Sequence, residues 1–276
     1  MGLWVQLKVM ARSGYISENL TSRQLEFLKF LDHQELDLFS LDELRDMPHI
    51  NHNDLNEVLE NLAHKGLISR IEKGKYCRHN FRDDLAIGNF LVPEGAVAYW
   101  SALNIHGLTE HFPNTIFIQS TRQKKEKTIF GVNYTFVQVI PRKIIGIEVR
   151  GYGKRQYRLT NKEKTIVDCF DQPLYSGGYN ELMTAFSIQE FSPELLIEYA
   201  LAVGNKACIK RMGFLAETTA PKTLKKFIQF AKQQVNNKYN LFDPTGTDTG
   251  EFIGDWRLRL NIPREQILQI VQCKDQ

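Results

Sequence analysis

The sequence is most informative at first for what it lacks. Its four cysteines, Cys77, Cys169, Cys208 and Cys273, are scattered, with no CxxC pair and no compact framework. That excludes a disulfide scaffold and a thiolate zinc site, and reduced thiols in a cytoplasmic protein are the simplest reading. No apolar run approaches the length needed to span a bilayer. The stretch MGLWVQLKVMARSGY has no sustained apolar core of signal-peptide length, so no secretory leader is expected. No glycine-rich phosphate loop and no serine nucleophile elbow occur. Repeats and low-complexity tracts are missing too. Net charge is small, +3 over 276 residues.

Charge is nevertheless sharply segregated. Residues 121–165 hold twelve Lys/Arg against three Asp/Glu, and residues 205–238 hold eight against one. Between them, 166–204 carries six acids and no Lys or Arg. Blocks of this kind suit a polyanion or an acidic protein surface, or simply solvated loops. At 42% hydrophobic and 24% charged residues the chain can build an ordinary core, and its length suits a small module plus a larger domain.

The small module is expected over 22–84, after an N-terminal extension 1–21. TSRQLEFLKFLDHQEL places Leu25, Phe27, Leu28, Leu31 and Leu36 near helical spacing behind a Thr/Ser cap. Ser40 precedes Glu43 by the capping-box interval, so a short helix starts at Leu41. A third helix lies in HNDLNEVLENLAHKG, with Leu55, Val58, Leu59 and Leu62 on one face and Gly66 ending it. LISRIEKGKYCRHN then reads as a hairpin turning at Lys73-Gly74, pairing Glu72 with Lys75, Ile71 with Tyr76 and Arg70 with Cys77. Its alternation puts Ile71 and Tyr76 on the covered face and Arg70, Glu72, Lys75 and Cys77 on the other.

Helix, short helix, helix, hairpin is the order of a winged helix-turn-helix. DNA contacts are therefore expected from Arg70, Lys73, Lys75 and Arg78 on the wing, to phosphates, and from His52, Asn53 and Asn56 on the third helix, to base edges. That helix also exposes Glu57, Glu60 and His64, and its lone lysine, Lys65, sits at the far end. From 22 to 82 there are nine basic and eleven acidic residues, a poor balance for a DNA binder. A winged helix used for protein contact is the competing reading.

Over 85–276 the expectation is a larger mixed α/β domain with a basic sheet, sheet-rich over 85–160, helical over 161–240 and ending in a tail 241–276, making the whole chain α+β. PEGAVAYWSALNIHGL is expected to be a helix with Pro93 in its first turn, Tyr99 and Trp100 in the core. NTIFIQST, VNYTFVQVI, KIIGIEVR and KRQYRLT are expected strands. Thr160 and Glu163 suggest another capping box, and further helices are expected at YNELMTAF, SPELLIEYALAVG, NKACIKRMGFLAE and PKTLKKFIQFAKQQV. FDPTGTDTG is a polar loop and DWRLRLNI a returning strand.

No catalytic residue, metal or cofactor is expected. Asp168 and Asp171 lie three apart on one helix, but without a third ligand they read as surface or interface acids. IEVR, with Glu148 and Arg150, falls short of a nuclease motif. His106, Glu110 and His111 lack metal-ligand spacing. Arg122, Lys124, Lys125, Lys127, Arg155, Arg158, Lys162 and Lys164 are candidate contacts to a protein partner or nucleic acid, against a reading as loops kept soluble by charge.

Three stretches, GLISRIEKGKY, PEGAVAYWSALNIHGLTE and LTNKEKTIVDCFDQPLYSGGYNEL, resemble the AbiEi family, antitoxins of bacterial type IV toxin–antitoxin pairs. In the last stretch Glu163, Lys164, Thr165, Asp168, Pro173 and Gly178 match the family pattern, while the acidic third helix departs from it. The resemblance covers most of the chain. It implies a non-enzymatic cytoplasmic protein whose N-terminal domain binds promoter repeats, as a homodimer in one arrangement, and represses its own operon. Its C-terminal domain would counteract an AbiEii-like nucleotidyltransferase toxin, directly or functionally. The alternatives are a DNA-targeted enzyme such as a nuclease, or a plain winged-helix transcription factor.

Overall fold

The computed structural model describes residues 19–47, 54–219 and 222–272. The chain divides into two compact units, Met1–Phe81 and Arg82–Gln276. The fold is mixed α/β with several sheets.

In the first unit, Thr21 and Gln24 cap each other to start α1 (Ser22–His33), whose Phe27 and Leu31 are buried while Leu25 is exposed. A strand the sequence reading did not anticipate follows, β1 (Leu38–Ser40). Ser40 and Glu43 form the expected reciprocal box at the start of α2 (Leu41–Arg45). In α3 (Leu55–His64) the buried face is Leu55, Leu59 and Leu62. Then β2 (Ile68–Glu72) and β3 (Lys75–Arg78) form the hairpin, and the sheet order is β1-β3-β2. Phe39 of β1 stacks on Tyr76 of β3 with ring centroids 6.0 Å apart, which closes the helices over the sheet.

Two expectations about the hairpin need correction. Glu72 does pair with Lys75, but a bulge then puts Arg70, not Ile71, opposite Tyr76 and Ser69 opposite Cys77. Cys77, expected on the outer face, is fully buried. The cause is β1: Leu38 pairs with Cys77, so β3 is the middle strand rather than an edge.

The second unit is built on a mixed sheet. After α4 (Asp84–Leu91), capped by Asp83, come β4 (Ala96–Val97), α5 (Tyr99–Ile105), β5 (Thr115–Ser120), β6 (Lys127–Ile129), β7 (Val132–Gln138), β8 (Ile147–Arg150) and β9 (Tyr157–Thr160). Among the described residues the strand order is β6-β7-β5-β4-β9-β8. The helix expected from Pro93 starts only at Tyr99, because Ala96 and Val97 are drawn into the sheet between β5 and β9. A β-carbon on Gly95 would lie 2.7 Å from the Gln119 carbonyl oxygen, so glycine is what lets these strands close.

Helices α6 (Lys162–Asp171), α7 (Tyr179–Ile188), α8 (Pro193–Val203), α9 (Lys206–Thr219) and α10 (Lys225–Gln233) follow where the periodicity puts them. The cap of α6 is Asn161, whose side chain accepts from the Lys164 N–H at 2.9 Å, not Thr160. Glu163 reaches across instead and accepts from the Ser192 N–H at 3.1 Å, tying α6 to the start of α8. The tail is more structured than expected. β10 (Asn240–Leu241), β11 (Glu251–Ile253) and β12 (Leu258–Leu260) form a small sheet, followed by α11 (Arg264–Gln272). Its Trp256 is buried against α9, where Gly213 leaves room for the ring, and donates from Nε1 to Glu217 at 2.6 Å. Among the described residues no helix is long and apolar enough to cross a membrane.

Candidate nucleic-acid interface

In the first unit the amphipathic pattern of α3 turns Asn56, Glu57, Glu60 and His64 outward. The hairpin lies beside it, and Glu60, Ala63, His64, Arg70 and Tyr76 line a groove of about 530 Å³ between the two. The turn at its tip is fixed from below. Gly74 has φ +74°, and its carbonyl accepts from the Leu41 N–H at 2.7 Å, pinning the tip to the start of α2.

The four cations expected to contact phosphates from the hairpin are not equivalent. Arg70 and Lys73 are exposed. Lys75 is half-buried and lies 3.8 Å from Glu72. Arg78 is drawn back to Asp32 of α1, with an Nη1 that is buried and unbonded. In this position Arg78 braces the hairpin against α1. Lys65 is also used internally, donating at 2.7 Å to both the Asn19 carbonyl and Gln24. Of the expected base readers Asn56 stands exposed on α3, and His52 and Asn53 lie outside the described residues.

The basic residues of the second unit do not form one cluster. Arg122, Lys124, Lys125 and Lys127 belong to the β5–β6 connection and the start of β6, at one end of the sheet. Arg155 and Arg158 belong to the β8–β9 hairpin at the other end. Arg122 lies 3.3 Å from Glu94, and the Lys124 ammonium 5.6 Å from the Phe136 ring centroid. Lys125 and Arg155 are exposed. Lys162 donates to the Glu190 carbonyl at 2.7 Å and covers the Phe191 ring. Lys164, expected among the surface contacts, is fully buried in an ion pair with Asp168.

That pair also corrects the reading of Asp168 and Asp171 as surface or interface acids: both side chains are buried within the second unit. Asp168 is 2% exposed, and burial raises its pKa even beside the Lys164 ammonium. Asp171 bonds Lys143 at 2.5 Å and the Asn205 amide at 2.8 Å. Each carboxylate has its own lysine, so the two are separate ties rather than a shared metal site. Among the described residues no three His, Cys, Asp or Glu side chains gather as metal ligands. His106 bonds the Thr160 carbonyl at 2.7 Å and faces Arg150 at 3.2 Å. Burial lowers its pKa, and the nearby Arg150 acts in the same direction.

No protein-family profile matches the chain. No curated protein matches it in sequence. In structure it is similar to the RV2827C protein from Mycobacterium tuberculosis, with a TM-score of 0.67 at 11% identity, over 93% of this chain and 97% of that one. At this identity the likeness is one of fold.

Proposed function

We propose that the protein is a DNA-binding antitoxin of the AbiEi type, acting in the cytoplasm as repressor of its own operon and as antagonist of an AbiEii-like nucleotidyltransferase toxin. The observation that carries the DNA part is the topology of the first unit. The order α1, β1, α2, α3, β2, β3, with the sheet β1-β3-β2, supports reading that unit as a winged helix. The open face of α3 is its recognition surface and the Lys73-Gly74 turn its wing. Arg70 and Lys73 supply the phosphate contacts, while Asn56 has the donor and acceptor to read an adenine edge.

Support for the antitoxin part comes from the sequence resemblance, and the structure gives its motif residues folding roles. Lys164 and Asp168 form the buried pair, and Gly178 takes φ +117° before α7. A β-carbon on neighbouring Gly177 would lie 2.5 Å from the Trp100 ring, so the two longest matching stretches pack on each other there. These two stretches thus belong to the core of the second unit, and its partner contacts fall to the surface cations Arg122, Lys125 and Arg155. A plain transcription factor shares the first half of this reading but not the second.

The test is genetic and uses the full chain. Co-expression should silence a reporter driven by the chain's own upstream DNA and should restore growth to cells making the nucleotidyltransferase-like product of the adjacent gene. Repression without rescue would leave a plain regulator, and neither effect would overturn the proposal.

A further inference from the structure

β8 closes one edge of the large sheet, paired with β9 on its inner side and with no strand on its outer side among the described residues. The parity of the ladder shows which backbone groups face outward. The Asn161 N–H donates to the Gly146 carbonyl at 2.7 Å, so these two residues form a hydrogen-bonded pair. Counting on by two, Glu148 with Leu159 and Arg150 with Tyr157 are hydrogen-bonded pairs as well. Ile147 and Val149 are the alternate positions, and their N–H and C=O groups point away from β9. The residue across from Val149 agrees: the Arg158 N–H points away from β8, to the Asn89 side chain at 3.1 Å.

Within β8 no bulge, proline or lysine interrupts the strand, and its two charges, Glu148 and Arg150, share one face. The Val149 side chain is 62% exposed, and Tyr152 just beyond the strand is 91% exposed.

We propose that β8 pairs antiparallel with β8 of a second copy, about a two-fold axis through Val149. The sequence Glu148-Val149-Arg150 is its own complement in that register. Val149 N–H donates to the Val149 carbonyl of the second copy and the reverse, closing a hydrogen-bonded ring on the axis. Glu148 falls opposite Arg150 of the second copy, and Arg150 opposite its Glu148, at non-hydrogen-bonded positions where facing side chains come closest. Both charges already lie on one face of β8, with Arg150 Nε bonded to Glu148 at 2.7 Å. The contact is isologous and joins the two sheets into one. A foreign strand would need the same Glu and Arg two residues apart, which this chain supplies itself. The opposite edge has no such pattern, since in β6 Lys127 would meet Ile129 of its copy.

Sedimentation velocity of the full chain without DNA tests this independently of any role in repression. A concentration-dependent dimer is expected. Glu148→Arg and Arg150→Glu should each weaken it at least about tenfold, the loss of both cross-strand ion pairs. The double swap should restore it, because Arg-Val-Glu is again its own complement. Val149→Pro removes only an outward N–H, so it should dissociate the dimer while leaving the circular dichroism of the fold unchanged. Val149→Cys should give a disulfide-linked dimer on oxidation, since Cα atoms of a hydrogen-bonded pair sit about 5.5 Å apart, within disulfide range. A chain that stays monomeric at all concentrations, or a dimer indifferent to Glu148→Arg and Val149→Pro, would overturn the proposal.

Discussion

Lys164 and Asp168 stand four apart on α6, an interval at which a lysine and an aspartate can meet along one helix face. Their interval was readable from the sequence, and their pairing and burial were not. Burial is decided by α5, α8 and α9, which arrive from distant segments and pack around α6. A charged pair removed from water contributes little net stability, but one member left alone is costly. Lys164→Met should therefore destabilise the fold by about 3–5 kcal/mol in urea unfolding, and Lys164→Met with Asp168→Leu should return most of that loss. A single variant costing under about 1 kcal/mol would mean that the pair behaves as an exposed one. Arg78 teaches the same lesson on a smaller scale. Its place on the hairpin was legible, but its use by Asp32 depends on how α1 crosses the sheet.

Elements with a local signal read well. The boxes at Thr21 and Ser40 start α1 and α2, and the Ser192-Pro193 start of α8 is likewise as the sequence suggests. Those set by tertiary pairing did not. β1 has three residues and no turn chemistry of its own, and β4 has two, inside a stretch whose periodicity suits a helix. His106 shows what such packing does to chemistry. Its Nε2–H donates to the Thr160 carbonyl of β9, which leaves Nδ1 to accept from Arg150 of β8. A proton on Nδ1 would set two donors face to face, and burial already disfavours it; the hydrogen bond to Thr160, then Glu148 and Glu163, pull the other way. The folded-state pKa thus lies below the ordinary value near 6.5, so the unfolded chain takes the proton first. Stability from this contact is complete above that ordinary value and is lost as pH falls through the lower, folded one. Between pH 7 and 5 the urea midpoint should drop further in the native chain than in His106→Gln, and parallel drops would contradict this placement of the ring.

Across the whole molecule the charge blocks were visible in the sequence, but their geometry was not. The basic run 121–165 looks continuous along the chain, yet Lys127 lies on one edge strand, β6, and Arg150 on the other, β8, about 24 Å apart at the usual strand spacing. The first unit has no basic surplus, so on the proposed reading affinity for DNA would rest on a few well-placed cations and on the count of copies bound. The most direct measurement is fluorescence anisotropy of the full chain on a duplex from its own upstream region, across a range of salt. The account predicts binding that weakens steeply with salt, with a slope reduced by about one in Lys73→Ala and again in Arg70→Ala. Duplex binding with the native slope retained in the double variant, or no binding at low salt, would contradict it.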